Sequence, residues 1–301
     1  MSAVTTRSGA TVPTKRTFSF GRWFHATGWR HLVGLVLIVF SLFPLLYVLS
    51  ASLNPVGSLT GSNALFSNIG FGAYERLFND PSQPFGAWFI NTMVIAFVTA
   101  VLTVFMGALA AYSFSRMRFA GRRFGLMTIV LVQMFPQLLA VVAIFLLMNT
   151  ISDWFPAIGI NTHIGVIMVY LGGALGVNTY LMYGFFNTVP KDIDEAAKID
   201  GASHARIFFT IILRLVAPIL AVVGLLSFIT TTNEFVVASI VLIDPEKQTL
   251  AVGLYKLISN PNYADWGAFS AGAIIAALPV TILFLFLQKY IVGGLTAGAV
   301  K

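Results

Sequence analysis

The chain has 301 residues, of which 57% are hydrophobic and 10% charged, with a mean hydropathy of +0.86 and a formal net charge of +7. Soluble domains carry about 25% charged and 45–50% apolar residues, so a soluble globular fold is excluded. The excess of apolar surface over charge excludes disorder, and the absence of cysteine removes disulfides, thiolate metal sites and a cysteine nucleophile.

A helix needs about 20 mostly apolar residues to cross the hydrocarbon core. Six stretches meet that length, at roughly 32–50, 88–113, 125–148, 164–186, 212–235 and 269–292. None alternates as barrel strands of about 10 residues do, and lipid admits only helices or closed barrels. The sequence therefore predicts an all-α membrane protein with six transmembrane helices. The first stretch follows a basic segment, but its apolar run exceeds the roughly 7–15 residues of a signal-peptide core, so it is read as a retained helix. Residues 1–20 are polar and expected to lack order. The longest connection, about 51–87, is rich in Asn, Ser, Gly and Pro and reads as a loop too short for a domain.

Lys and Arg divide unequally between the two sides. Fifteen of the 18 fall in the N-terminal segment, the 114–124 loop (Arg116, Arg118, Arg122, Arg123), the 187–214 region and the C-terminal end. Arg76, Lys247 and Lys256 are left for the opposite side. The positive-inside rule then places both termini in the cytoplasm. The same rule accounts for the net charge without nucleic acid, for which no basic stripe interleaved with aromatics exists.

The usual chemical signatures are missing. No G-x-x-x-x-G-K-[ST], H-E-x-x-H or G-x-S-x-G occurs. His25, His31, His163 and His204 lack ligand spacing, so no metal site is expected and each reads as a loop or interfacial residue. Glu234 stands near a span, with Arg214 at the start of the same helix. So few intramembrane ionisable groups argue against an ion-driven pump and against acid–base enzymology.

The polar stretch 187–210 interrupts the apolar pattern and predicts two short helices. Pro190 suits a first turn, and Asp192, Asp194 and Glu195 follow where the helix dipole favours negative charge. Ala196 and Ala197 give a smooth surface, Gly201 is placed to end the helix in the left-handed conformation, and Ser203 to cap the next turn. Such an elbow is shaped to dock into another protein, and an amphipathic linker lying on the membrane is the alternative.

The spacing Glu195-Ala196-Ala197, Gly201, Ile211-x-Leu213 resembles the EAA motif of bacterial ABC-importer permeases. The likeness runs from about residue 85 to the C-terminus. Ile160-Asn161-Thr162-His163, Tyr170-Leu171-Gly172-Gly173, Thr249-Leu250-Ala251-Val252-Gly253, Asn260-Pro261-x-Tyr263, Trp266-Gly267, Ala277-Leu278-Pro279 and Gly294-Leu295-Thr296-Ala297-Gly298 are similar to the maltose/maltodextrin type, G subunit. The resemblance implies a type I permease fold in which segment 190–213 forms coupling helices, with Glu195, Ala196, Ala197, Asp200 and Gly201 as the docking surface. It implies a cytoplasmic tail at 294–301 whose Thr296, Ala297, Gly298 and Lys301 reach the ATPase interface. It implies an N-terminal tail at 1–31, a first helix and outer loop at 32–84 and a core of five helices at 85–293. The implied partners are a second permease of the F type, an ATPase homodimer and an extracytoplasmic sugar-binding protein, in the bacterial inner membrane. No cofactor is expected in this chain, since ATP and Mg would sit on the ATPase. The family pattern ends in Leu-Pro where this chain has Leu213-Arg214, which predicts a straighter start to the fifth span. Alternative cargoes are trehalose, another oligosaccharide or glycerol phosphate, and a self-sufficient channel or secondary transporter is the reading from another class.

Gln133, Asn178, Tyr180, Thr232, Asn233 and Glu234 are candidate lining residues of a sugar passage, with bonding to neighbouring helices as the alternative. Gly172-x-x-x-Gly176 predicts close helix packing. Pro136, Pro218 and Pro279 are expected inside helices, as kinks.

Overall fold

The computed structural model describes residues 4–5, 11–12, 20–55, 65–260 and 262–297, and divides the chain into two units, Met1–Leu49 and Ser50–Lys301. In the first, Val4–Thr5 pairs antiparallel with Thr11–Val12, so part of the expected disorder at 1–20 is replaced by a short ribbon, and 1–3, 6–10 and 13–19 lie outside the described residues. Helix α1, Trp29–Ser52, begins in this unit and carries Pro44 inside it.

In the second unit, α2 (Gly72–Asn79) occupies the region expected to be loop. Its apolar positions Ala73 and Leu77 lie one turn apart and are both fully buried. Helix α3 (Phe85–Arg116) crosses without a break. The expected span at 125–148 is instead two helices, α4 (Arg122–Gln133) and α5 (Gln137–Trp154), bent by 99°. Pro136 lies between them in extended conformation, because proline lacks an N–H and its ring excludes a preceding helical turn. Helix α6 (His163–Phe186) bends by 51° between Gly173 and Gly176.

Helix α7 (Lys191–Ile199) is followed by a short helical run, 204–215, that includes a π-turn at Ile207–Ile212. This run meets α8 (Ala217–Thr232) at 78°. The straighter start expected from Arg214 is therefore corrected. Pro218 sits in the first turn of α8, and in a continuous helix its ring would strike the carbonyl of Arg214 four residues back. Helix α9 (Val236–Val241), α10 (Leu250–Ser259) and α11 (Trp266–Ala297) complete the chain. Of the three prolines expected inside helices, Pro279 alone is internal.

Among the described residues four apolar clusters fill the second unit, the smallest of them joining Ala96 and Ala100 of α3 to Phe228 of α8. Of the others, one joins Ala108 and Tyr112 of α3, Met182 and Phe186 of α6, Ala197 of α7 and Phe208 of the π-turn. A second, at the opposite end of α3, joins Phe85 and Trp88 to Leu77, Leu250 and Leu254. The third packs Ile95, Met148, Val166 and Val241 between them.

Candidate functional site

Helix α7 ends in a closed cap. The N–H of Gly201 donates to the carbonyl of Lys198 at 3.0 Å, and that of Ala202 to the carbonyl of Ala197 at 2.9 Å. This is the Schellman arrangement, and Gly201 takes the left-handed φ of +79° that it demands. Ser203 then caps the next turn by accepting from the Arg206 N–H. The elbow expected from the sequence is therefore present residue for residue.

Helical spacing divides α7 into two faces. Ile193, Asp194 and Ala197 point inward, whereas Glu195, Ala196 and Asp200 are exposed. Ala197 is thus removed from the expected docking surface, since it falls four residues from Ile193 on the inner face and is 8% exposed. Ile199, which that expectation leaves out, is 87% exposed. An isoleucine in a polar segment carried no periodic signal, so sequence reasoning passed over it. Of the tail residues, Thr296 and Ala297 continue α11, and Gly298 and Lys301 lie outside the described residues.

The inner face of α7 is held by charge as well as by packing. Asp194 forms an ion pair with Arg116, the last residue of α3, and both side chains are almost fully buried. Arg116 Nη1 donates to the Phe186 carbonyl at 3.1 Å and Nη2 to the Val189 carbonyl at 2.9 Å. One guanidinium therefore ties together the ends of α3 and α6 and the start of α7.

The passage candidates separate into two groups. Asn178 and Glu234 line a cavity of about 510 Å³ between α5, α6 and α8, in which Tyr170, Ser227, Thr230 and Thr231 also take part. Single hydroxyls inside apolar runs gave no pattern to find in the sequence. The remaining candidates are placed elsewhere. Gln133 donates to the Gly173 carbonyl at 2.7 Å, where the bend of α6 frees that group, and Gly176 leaves room for it because a Cβ there would lie 2.0 Å from Gln133 Nε2. Tyr180 is exposed on another face, Asn233 folds back onto the Ile229 carbonyl, and Thr232 onto that of Phe228. Glu234 itself accepts from the N–H groups of Val237 (2.8 Å) and Ala238 (3.1 Å) and from the Tyr170 hydroxyl, so its carboxylate caps the first turn of α9.

At the opposite end of α3, a connected loop is fastened in place. Trp88 Nε1 donates to the Pro245 carbonyl at 2.8 Å, Asn91 to the carbonyls of Glu246 and Gln248, and the Leu250 N–H to Thr92 Oγ1 at 2.7 Å. His163, the first residue of α6, has its Nε2 3.0 Å from the Lys247 carbonyl. Nearby, Arg76 and Asp265 form a two-pronged ion pair at 2.6 and 3.1 Å. Burial pushes the Asp265 carboxyl up, but the Arg76 guanidinium and the Ala268 and Gly267 N–H groups outweigh it and hold the group below the usual carboxylate range. Among the described residues no group of acidic or histidine side chains is arranged to hold a metal ion.

A family model described as "binding-protein-dependent transport system inner membrane component" matches residues 103–296. The chain belongs to this family. It is 44% identical over 228 residues to the maltodextrin transport system permease protein MdxG of Bacillus subtilis, covering 76% of this chain and 79% of the relative. It is 40% identical over 264 residues to the galactooligosaccharides transport system permease protein GanQ of the same organism, covering 87% and 91%. It is 39% identical over 281 residues to the maltose/maltodextrin transport system permease protein MalG of Escherichia coli, covering 90% and 94%. A bacterial ABC transporter involved in the import of the acidic polysaccharide alginate has a chain of the same fold, with a TM-score of 0.72 at 24% identity over 92% of this chain and 99% of that one. As a permease component of this family, the chain is a multi-pass inner-membrane transport subunit.

Proposed function

We propose that this permease is one half of the transmembrane pathway of an ATP-driven importer for maltose or maltodextrin. A different permease, of the F type, supplies the other half. A separate ATPase homodimer, which alone holds ATP and Mg, docks on the exposed face of α7, and a sugar-binding protein docks on the far side. Both termini are then cytoplasmic, in keeping with the placement of 15 of the 18 Lys and Arg residues. Closure of the ATPase pushes on Glu195, Ala196, Ile199, Asp200 and Gly201, with Thr296, Ala297, Gly298 and Lys301 reaching its interface, and the permease helices turn the cavity outward. The chain performs no covalent chemistry. Asn178 and the hydroxyls of the 510 Å³ cavity offer hydrogen bonds to a neutral polyhydroxy cargo, and the volume lies within the roughly 300–1,000 Å³ of small-molecule sites.

The observation that carries this reading is α7. It is a nine-residue helix closed by a left-handed glycine, with an isoleucine presented to the outside where a partner would bury it. A galactooligosaccharide cargo is the second reading, favoured by the 40% identity to GanQ. The test is ATP hydrolysis by the reconstituted complex with its binding protein against a panel of sugars. Stimulation by maltodextrin is expected, and stimulation by galactooligosaccharides alone replaces the cargo. A chain that co-purifies with no ATPase and transports unaided overturns the importer reading in favour of a self-sufficient channel.

A further inference from the structure

Helix α3 is unlike the other long helices described. Both α1 and α11 carry an internal proline, and the remaining expected spans are bent by 51° to 99°. Over its 32 residues α3 has neither a proline nor a break, and at 1.5 Å per residue it is about 48 Å long. It packs along its length against α6 and α8, and its two ends grip α7 and the 245–250 loop. At one end Arg116 holds α7. At the other Trp88, Asn91 and Thr92 hold the 245–250 loop through four hydrogen bonds.

The two kinds of contact at the α7 end do different work. Apolar packing of Ile193 and Ala197 is non-directional and tolerates rolling or sliding. A guanidinium has a fixed planar fork. The two Nη groups of Arg116 bond the Phe186 and Val189 carbonyls, which orients the fork at the end of α6 and the entry to α7, and from that fixed position its charge holds the buried Asp194 carboxylate of α7. Coupling between distant sites is carried by packed side chains, hydrogen-bond and salt-bridge networks and rigid secondary elements.

We propose that Arg116 is a positioning residue that locks α7 to α3, and that α3 acts as a rod carrying displacement of the docking helix to the 245–250 loop. This rests on the reading of α7 as the ATPase contact. It makes the loop on the binding-protein side respond to the ATPase through one unbroken helix, packed against the bent spans that line the cavity.

The absence of cysteine allows a direct test in the complete reconstituted transporter. Spin labels on Glu246→Cys, in the loop, and Trp154→Cys, at the end of α5, report their separation with and without trapped ATP. With Arg116 intact the separation shifts. Arg116→Lys keeps the charge and loses the fork, so a complex that still co-purifies with its ATPase is expected to lose that shift, and stimulation of hydrolysis by the loaded binding protein falls at least tenfold. Asp194→Asn keeps the shape and removes the charge, and is expected to do the same. Either variant assembling normally with the shift retained and stimulation within twofold of the unmodified complex overturns the proposal. Failure of both to assemble overturns it too, since the pair would then serve folding alone. A complex with Arg116 intact that no sugar stimulates removes the underlying importer reading, and is recognised because no variant is involved.

Discussion

Gly201 offers a way to separate backbone conformation from contact at the docking elbow. Its φ of +79° is the left-handed value required by the cap, and nothing lies within 4 Å of where a Cβ would stand. A substitution there meets no steric barrier within the chain, so its cost is conformational. For an ordinary L-residue in this region the cost is about 1–2 kcal/mol, and less for Asn or Asp, whose short side chains suit it. That energy lowers the population of the closed elbow by a factor of about 5–30. The predicted order of ATPase affinity is therefore Gly, then Gly201→Asn, then Gly201→Ala, then Gly201→Val. Gly201→Asp shares the backbone tolerance of Asn, so any loss beyond Asn measures a second negative charge beside Asp200. Titration of purified ATPase against the permease complex in nanodiscs gives the affinities. An alanine variant that binds as tightly as glycine, or an asparagine variant weaker than alanine, refutes the conformational argument.

Three further outcomes are expected. Ile199→Ala removes an exposed apolar side chain whose burial is worth about 1.5–3 kcal/mol, so it should weaken ATPase association by about 10- to 150-fold while the thermal midpoint of the isolated permease stays unchanged. Gly253→Ala would place a Cβ 2.1 Å from Trp88 Cδ2. Relief of such overpacking costs about 1–3 kcal/mol or more, read as a lower unfolding temperature of the purified complex. The depressed Asp265 pKa means that its pairing with Arg76 contributes stability at neutral pH, and that this contribution is lost as pH falls below about 4 and the carboxylate protonates. Asp265→Asn should therefore be less stable than the native chain at neutral pH and converge with it in acid unfolding curves.

The parts of this molecule that could be read from sequence are those where one residue type has one physical use. Gly201 and Ser203 announce a helix end and a helix start because few residues perform those tasks, and the structure places both as expected. The apolar runs announce membrane helices for the same reason. What was hidden depends on partners far along the chain. The bends at Pro136 and Pro218 needed neighbouring segments to decide between a kink and a full break. Asp194 looked like one of several acidic residues in a first turn, and its burial depends on Arg116, 78 positions earlier. Gln133 suggested a pore residue, yet it answers a carbonyl freed by a bend in another helix. The hydroxyls of Ser227, Thr230 and Thr231 gather around one cavity only because α8 turns that face toward α5 and α6.

Glu234 shows how an acidic residue near a membrane span can serve a neutral cargo. Its two oxygens accept the Val237 and Ala238 N–H groups, which have no partners within their own helix, and Oε2 also accepts from Tyr170. The positive end of the α9 turn and these donors offset the cost of keeping the charge there, so the cavity wall presents hydroxyl and amide groups and little free charge. Glu234→Gln tests this. A glutamine has one accepting oxygen, so one backbone N–H loses its partner, at about 1–3 kcal/mol if it stays buried. The variant should unfold at lower temperature, with sugar transport per surviving complex largely retained. Tyr170→Phe removes one donor and spares both backbone bonds, so its loss of stability should be smaller. If Glu234→Gln keeps full thermal stability while transport per complex collapses, the carboxylate acts on the cargo and the capping argument is wrong.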